Sequence, residues 1–172
     1  MKKKKQKSLF LAWMLSMVPV FLLMIATQSH SQILEKKPLF WLNPGIGTII
    51  PVSPGDELLP SAYAGINFQY GHFMASTHFT YLTDWELKYG SVYNIALLIG
   101  LATCEKEDHC SFTTGIARFG TSEYNITAFV AEFQAFQKLD DNFGVGTAIY
   151  VTKNRYFLSA GVYLNIVVGL LR

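Results

Sequence analysis

Phe143-Gly-Val-Gly-Thr-Ala-Ile-Tyr-Val-Thr152, Lys153-Asn-Arg155 and Tyr156-Phe-Leu-Ser-Ala-Gly-Val-Tyr-Leu-Asn-Ile-Val-Val-Gly-Leu170 form the stretch that decides the fold. Residue types alternate in it with a period of two, and no helical stripe runs through it, so it reads as two extended strands joined by a polar turn at 153–155. The first strand puts Val145, Thr147, Ile149 and Val151 on one face and Gly144, Gly146, Ala148 and Tyr150 on the other. The second puts Leu158, Ala160, Val162, Leu164, Ile166 and Val168 opposite Ser159, Gly161, Tyr163 and Asn165. A soluble sandwich carries polar residues on its outer face. Here one face is apolar and the other small or polar, the pattern of a transmembrane barrel with lipid outside and a filled lumen.

The N-terminus points to export. Lys2 to Lys5 and Lys7 form a positive region, Leu9 to Ala26 an apolar run, and Thr27-Gln-Ser-His-Ser31 supplies small residues before Gln32. This is the grammar of a secretory signal peptide, predicted over 1–31 and cleaved after Ser31. The alternative is a retained transmembrane helix, since the run approaches the roughly 18 residues of a span. Pro19 in its middle and the small-residue exit favour cleavage, and no cysteine near the cleavage point indicates an acylated lipoprotein.

Residues 32–172 then form one domain, a length that suits eight strands of about ten residues with short turns. The leader holds five of the 14 Lys and Arg, which leaves nine in that domain against 12 acidic residues, and no nucleic-acid partner is implied. Charged residues make up 15% of the chain. An average soluble domain has about 25%, so the deficit favours lipid contact.

Walking back from the C-terminus, alternating runs recur at about Phe40–Ile50, Ser61–Tyr70, His72–Leu82, Ser91–Ala102, Ser111–Gly120, Asn125–Lys138, Phe143–Thr152 and Tyr156–Leu170. Turn chemistry separates them, as at Tyr70-Gly71, Thr83-Asp84 and Asp140-Asp-Asn142. Pro44 fits the first run only at a bulge or a strand start. The predicted fold is all-β: an eight-stranded antiparallel up-and-down transmembrane β-barrel, preceded by a cleavable signal peptide. An even strand number leaves both chain ends on one side, which export makes the periplasmic side.

Parity sorts the side chains. Ala64, Ile66, Phe68, Phe73, Phe79, Tyr81, Tyr93, Ile95, Leu97, Ile99, Phe112, Thr114, Ile116, Phe129, Ala131 and Phe133 are expected outside. Asn43, Gly45, Gly47, Gly65, Met74, Asn94, Gly100, Thr113 and Gly115 are expected inside, with a lumen polar network of Asn67, Gln69, Ser76, His78, Glu132 and Gln134. An eight-stranded barrel is just wide enough for side chains to fill, so this mixture reads as a packed polar core. Phe40, Trp41, Tyr70, Tyr81, Trp85, Tyr89 and Tyr93 fall near strand ends, where aromatic girdles lie.

Cys104 and Cys110 bracket Glu-Lys-Glu-Asp-His between the fourth and fifth strands and are read as a hairpin disulfide. Closing so short a loop stabilises by about 2.4 kcal/mol in the chain-entropy model. A metal reading of Cys104, His109 and Cys110 lacks a fourth ligand at recognisable spacing, and no metal or cofactor is assigned. Ser76 and His78 share a strand face with Glu132 also inward, which invites a hydrolase reading. The plainer reading makes them members of a hydrogen-bond network, since buried polar groups must pair and no glycine-flanked serine elbow is present.

The leader, the run Trp41-Leu-Asn-Pro-Gly-Ile-Gly47, the strand opening Phe143-Gly-Val-Gly146 and the ending Gly169-Leu-Leu-Arg172 together resemble small outer-membrane β-barrel proteins of Gram-negative bacteria, of OmpA and OmpX type architecture. The resemblance covers essentially all of 32–172 through diffuse motifs. It implies the bacterial outer membrane as location, its lipids as surroundings and assembly by the barrel-insertion machinery. Such proteins commonly end in an aromatic residue, whereas this chain ends Leu170-Leu171-Arg172. Outer-membrane lipid A deacylases share the architecture, but their His-x-Ser-Asn run is absent here.

The favoured function is therefore a non-enzymatic outer-membrane barrel, structural or presenting its loops to an unidentified ligand. The alternatives are a lipid-modifying hydrolase on the same scaffold and a soluble lipocalin-like ligand-binding barrel. Which face points outward separates the last from the others.

Overall fold

A computed structural model describes residues 37–51, 58–82, 92–103, 108–120, 125–155 and 158–171. The expected leader at 1–31 lies outside them. So do Trp85 and Tyr89 of the expected girdle, and Cys104.

The strands are β1 (Pro38–Leu42), β2 (Gly45–Pro51), β3 (Leu59–Tyr70), β4 (Phe73–Leu82), β5 (Val92–Ala102), β6 (Asp108–Gly120), β7 (Asn125–Lys138), β8 (Phe143–Lys153) and β9 (Leu158–Leu170). From β3 to β9 each pairs antiparallel with the next, and β9 returns to pair with both β1 and β2. The sheet closes on itself, which removes the edges that an open sheet would have to protect.

β1 and β2 are two halves of one stave. Leu42 lies opposite Ile66 and Val168, and three residues on Gly45 lies opposite Tyr63 and Asn165, so no residue is inserted. Between them the Asn43 N–H donates to Gly65 O at 3.0 Å and the Ile166 N–H donates to Pro44 O at 3.0 Å. Of the two places expected to tolerate Pro44, a bulge or a strand start, the second is found: β2 begins directly after it, and the register runs on without an inserted residue. Proline withholds one donor from the ladder, and a single missing donor does not shift the strand. Counted as staves, the wall has the eight expected strands.

Register partners followed once around the wall run from Trp41 through Asn67, Ser76, Leu98, Gly115, Val130, Thr152 and Ser159 to Pro51, ten residues further along the starting stave. At about 3.3 Å per residue and about 4.8 Å between strands, that stagger over eight staves tilts them by roughly 40°. Eleven tilted residues, the length of β5, then rise about 27 Å, close to the apolar height of a transmembrane barrel.

Burial alternates along each stave as parity requires. Ile46 is 73% exposed, Leu164 67%, Ile99 and Ile116 61% and Leu97 59%, so the outer wall is an apolar belt. An exposed apolar area of this extent has no place in water and is the lipid-facing surface. The soluble lipocalin-like reading, which needs polar residues outside, is excluded by it.

Inside, polar residues separate two apolar layers. Near the chain ends Trp41, Met74, Ala102, Phe136, Val167 and Leu171 pack together. Toward the opposite rim Ile49, Tyr63, Leu82, Ala96, Leu98, Phe119, Val130, Tyr150 and Tyr163 belong to a second cluster. Along β7 the inward order is Phe136, Gln134, Glu132, Val130, which shows the polar layer between the two. Trp41, expected in the interfacial girdle, is 0% exposed and belongs to the lumen. Its neighbours Phe40 and Leu42 take the lipid side.

Turns join the staves at the end where the described barrel begins at Lys37 and finishes at Leu171. Gly71, at φ 59°, opens the two-residue turn between Tyr70 and Phe73, a backbone region that glycine enters without strain. At the β7–β8 turn the Asn142 N–H donates to Asp140 Oδ1 at 2.7 Å. The C-terminal tail folds against the same turn, with the Leu171 N–H donating to Asp141 O at 3.0 Å and the Gly169 N–H to Asn142 O at 2.9 Å. At the other rim, Lys153, expected in the turn 153–155, continues β8 and lies opposite Leu158. Tyr156, expected to start the last strand, lies outside the described residues.

Candidate functional site

The lumen cluster is built by side chains of four staves that parity turns inward at mid-height. Glu132 and Gln134 come from β7, His78 from β4, Tyr63 and Asn67 from β3, and Asn43 from the junction of β1 and β2. All are at most 3% exposed.

Glu132 is its centre. The carboxylate Oε2 lies 2.6 Å from His78 Nδ1, with both side chains fully buried. The Tyr63 hydroxyl donates to the carboxylate, 3.3 Å from each oxygen, and the Gln134 amide also donates to Oε1. An ionised carboxylate away from water is stable only when partners replace its hydration, and these three do so. His78 Nε2 lies 3.2 Å from the Tyr63 hydroxyl. The amides extend the network: Asn43 Nδ2 donates to Gln134 Oε1 at 3.2 Å, and Asn67 Nδ2 donates to Asn43 Oδ1 at 2.8 Å. Gly65 gives Asn43 its space, because a Cβ there would lie 2.1 Å from Asn43 Oδ1.

All six residues expected to form the lumen network are buried. Four of them, Asn67, His78, Glu132 and Gln134, are brought together. Gln69 is not; its amide donates to Gly71 O at 2.7 Å and Thr103 O at 3.2 Å, tying the lumen floor to two turns. Ser76 is buried opposite Asn67 in register, but its hydroxyl makes no hydrogen bond to the cluster among the described residues. His78 Nδ1 lies against Glu132 and Nε2 against the Tyr63 hydroxyl, and neither is hydrogen-bonded to Ser76. The Ser-His-acid arrangement weighed from the sequence is not assembled in this geometry.

Tyr63 is the member that sequence reasoning passed over. Its parity with Gly65, Asn67 and Gln69 on one strand was the available signal. Asn43 was expected inward but not singled out. Above the cluster, Tyr63 and Tyr163 rings lie 4.9 Å apart, and Ser61 donates to the Tyr163 hydroxyl at 3.2 Å. Asn94 donates to the Tyr150 hydroxyl. Below it, the ring of His109 stacks on Phe136 at 4.3 Å and meets Trp41 edge-on at 5.0 Å. His109 thus points into the lumen while Cys110, next in sequence, takes the outer parity, so the two do not share a face as the metal reading requires. Cys110 faces Thr103 across the hairpin, with the Thr103 N–H donating to Cys110 O at 2.7 Å.

The chain superposes on known barrels of this architecture. The N-terminal β-barrel domain of Pseudomonas aeruginosa OprF matches with a TM-score of 0.56 at 9% identity, over 78% of this chain and 100% of that one. Ail, the attachment invasion locus protein of Yersinia pestis, matches at 0.55 and 11% identity, over 79% and 99%. The outer membrane enzyme PagL matches at 0.53 and 12% identity, over 74% and 98%. No protein-family model and no curated protein matches the chain. The fold is therefore that of small outer-membrane β-barrels of the OmpA and OmpX type, and it is shared by enzymes and non-enzymes alike.

Proposed function

We propose that the protein is an integral barrel of the bacterial outer membrane that performs no catalysis in its lumen and acts as a structural element or through its rim loops. The single observation that carries this reading is the Glu132–His78–Tyr63 cluster, buried between two apolar layers under a lipid-facing belt. Catalysis needs a polar group that substrate can reach. His78 is 0% exposed and shut off from both rims by those layers. The reading further holds that residues 1–31 are removed on export, that the barrel-insertion machinery assembles 32–172, that Cys104 and Cys110 are oxidised to each other, and that any ligand is met by the loops.

Expression of the full chain in a Gram-negative host tests it. Recovery in the outer-membrane fraction, an N-terminus at Gln32 and a change in gel mobility on boiling are expected. A chain found soluble in the periplasm, or one hydrolysing membrane lipid in a manner abolished by both Ser76→Ala and His78→Ala, would replace it.

A further inference from the structure

Among the described residues the belt carries Arg118 and Lys153 on its lipid side, both near the rim away from Lys37 and Leu171. Arg118 on β6 lies opposite Ile95 and Thr127, and Lys153 on β8 lies opposite Phe129. Both are exposed. They flank the outer end of β7, where Thr127 and Phe129 share the same outward face.

Their relative height follows from the stagger. Two strand steps lift a hydrogen-bonded line by about 6 Å, and the two-residue offset from Thr127 to Phe129 lowers it by about 5 Å. Arg118 and Lys153 therefore stand level within about 1 Å, with Cα atoms about 12 Å apart. Directly below them on their own staves are Ile116 and Val151, and Phe129 is 52% exposed between them. Tyr93 and Tyr81, opposite each other in register on β5 and β4, carry exposed rings on the wall beside Arg118. Among the described residues of this rim the charged wall positions are cationic, and Arg155 in the adjoining loop adds a third. The opposite rim carries both signs, with Asp108 on the wall, Asp140 and Asp141 in a turn, Lys37 just before β1 and Lys138 at the end of β7.

A lipid-facing cation costs about 2 to 4 kcal/mol at the bilayer midplane and about 0 to 1 near an interface, so these two are placed where headgroups lie. Guanidinium matches phosphate oxygens in a fork, and an ammonium adds a compact point charge. We propose that Arg118 and Lys153 clamp the two phosphates of a bis-phosphorylated glycolipid of the outer leaflet, whose acyl chains lie along Ile116, Phe129 and Val151. The spacing suits two phosphates on one headgroup better than one, because Phe129 stands between the cations. The proposal rests on the outer-membrane reading above.

The test is thermal unfolding of the full chain, read by gel mobility, in vesicles of phosphatidylcholine alone and of phosphatidylcholine mixed with bis-phosphoryl lipid A, lipid A stripped of phosphate, or phosphatidylglycerol. Bis-phosphoryl lipid A should raise the unfolding temperature above that in the neutral vesicles, and the stripped lipid should not. Arg118→Gln with Lys153→Gln should abolish the rise while unfolding normally in neutral vesicles, and Arg118→Lys should keep part of it. An equal rise in the double variant, or with stripped lipid, overturns the clamp. An equal rise with phosphatidylglycerol replaces it by a general anionic-lipid contact, and an equal rise with inorganic phosphate in neutral vesicles replaces it by a site for the free anion. Failure of the unaltered chain to enter even neutral vesicles would count against the membrane reading itself.

Discussion

Glu132 is 1% exposed and 2.6 Å from His78, a geometry in which the two partners cannot be altered independently. Leaving one member of a buried pair without the other costs about 3 to 5 kcal/mol, while an apolar replacement of both is often neutral. Glu132→Leu should therefore lower unfolding free energy in urea by about that amount. Glu132→Gln, which still accepts from Tyr63 and His78, should fold and lose much less. His78→Leu combined with Glu132→Leu should cost less than the two single changes added together, and additive costs would mean the pair is not coupled. Trp41→Ala is the matching apolar case: removing an indole that is 0% exposed should cost about 3 to 5 kcal/mol through the cavity it leaves. An indole in the interfacial girdle would lose far less, so this variant separates the two placements of Trp41. Parity alone made the inward direction of Glu132, His78 and Asn67 legible, because a strand offers only two faces. It did not give the partners. Contacts such as Asn43 with Gln134, 91 residues apart, depend on the stagger of the whole wall, which no single strand encodes.

At the scale of the strand, β5 offers the cleanest comparison. Leu97 is 59% exposed and lies near half-height on the wall, so Leu97→Lys should destabilise the vesicle-inserted barrel by about 2 to 4 kcal/mol. Thr127→Lys, also outward but at the outer end of β7, should cost about 0 to 1 kcal/mol. Equal costs, measured by urea unfolding in vesicles, would mean that the belt is not seated in lipid as its tilt and height require. Strand extents were largely readable, since β7 spans Asn125–Lys138 as the alternation predicts. The ends were less so. β6 begins at Asp108, not Ser111, because backbone pairing with β7 continues through polar residues that break the apolar pattern. At Pro44 the ladder does stop between β1 and β2, as a strand start there requires, and the closed wall on both sides holds the register through it. Cys110 lies on β6, and Cys104 precedes it by six residues in the sequence. Alkylation without reductant, followed by mass spectrometry, should leave both unlabelled, and two labelled thiols would end the disulfide reading.

For the whole molecule, the stagger of ten residues over eight staves fixes a lumen that side chains can fill, and both ends of it are stoppered by different means. At the end near Lys37 and Leu171, Trp41 meets the stacked rings of His109 and Phe136, and Leu171, 1% exposed, is held there by Asp141 O and by Lys138, whose Nζ donates to the Leu171 carbonyl. Toward the other end Tyr63, Tyr150 and Tyr163 close over the Glu132–His78 pair with Ala96, Leu98 and Val130. A pore needs a file of polar groups with water between them, whereas here Glu132, Gln134, Tyr63, Asn43 and Asn67 bond to one another and apolar layers lie on either side. The barrel in a planar bilayer should therefore show no sustained open-pore conductance. Shrinking one stopper, as in Trp41→Ala, should still give none, because the Glu132–His78–Tyr63 cluster and the tyrosine layer remain. Trp41→Ala combined with Tyr63→Ala removes a stopper on each side and a donor from Glu132, so brief conducting events should appear if that variant still shifts on boiling. Steady conductance from the unaltered protein would mean that the lumen is hydrated end to end, and the reading of a filled, load-carrying wall would give way to that of a channel.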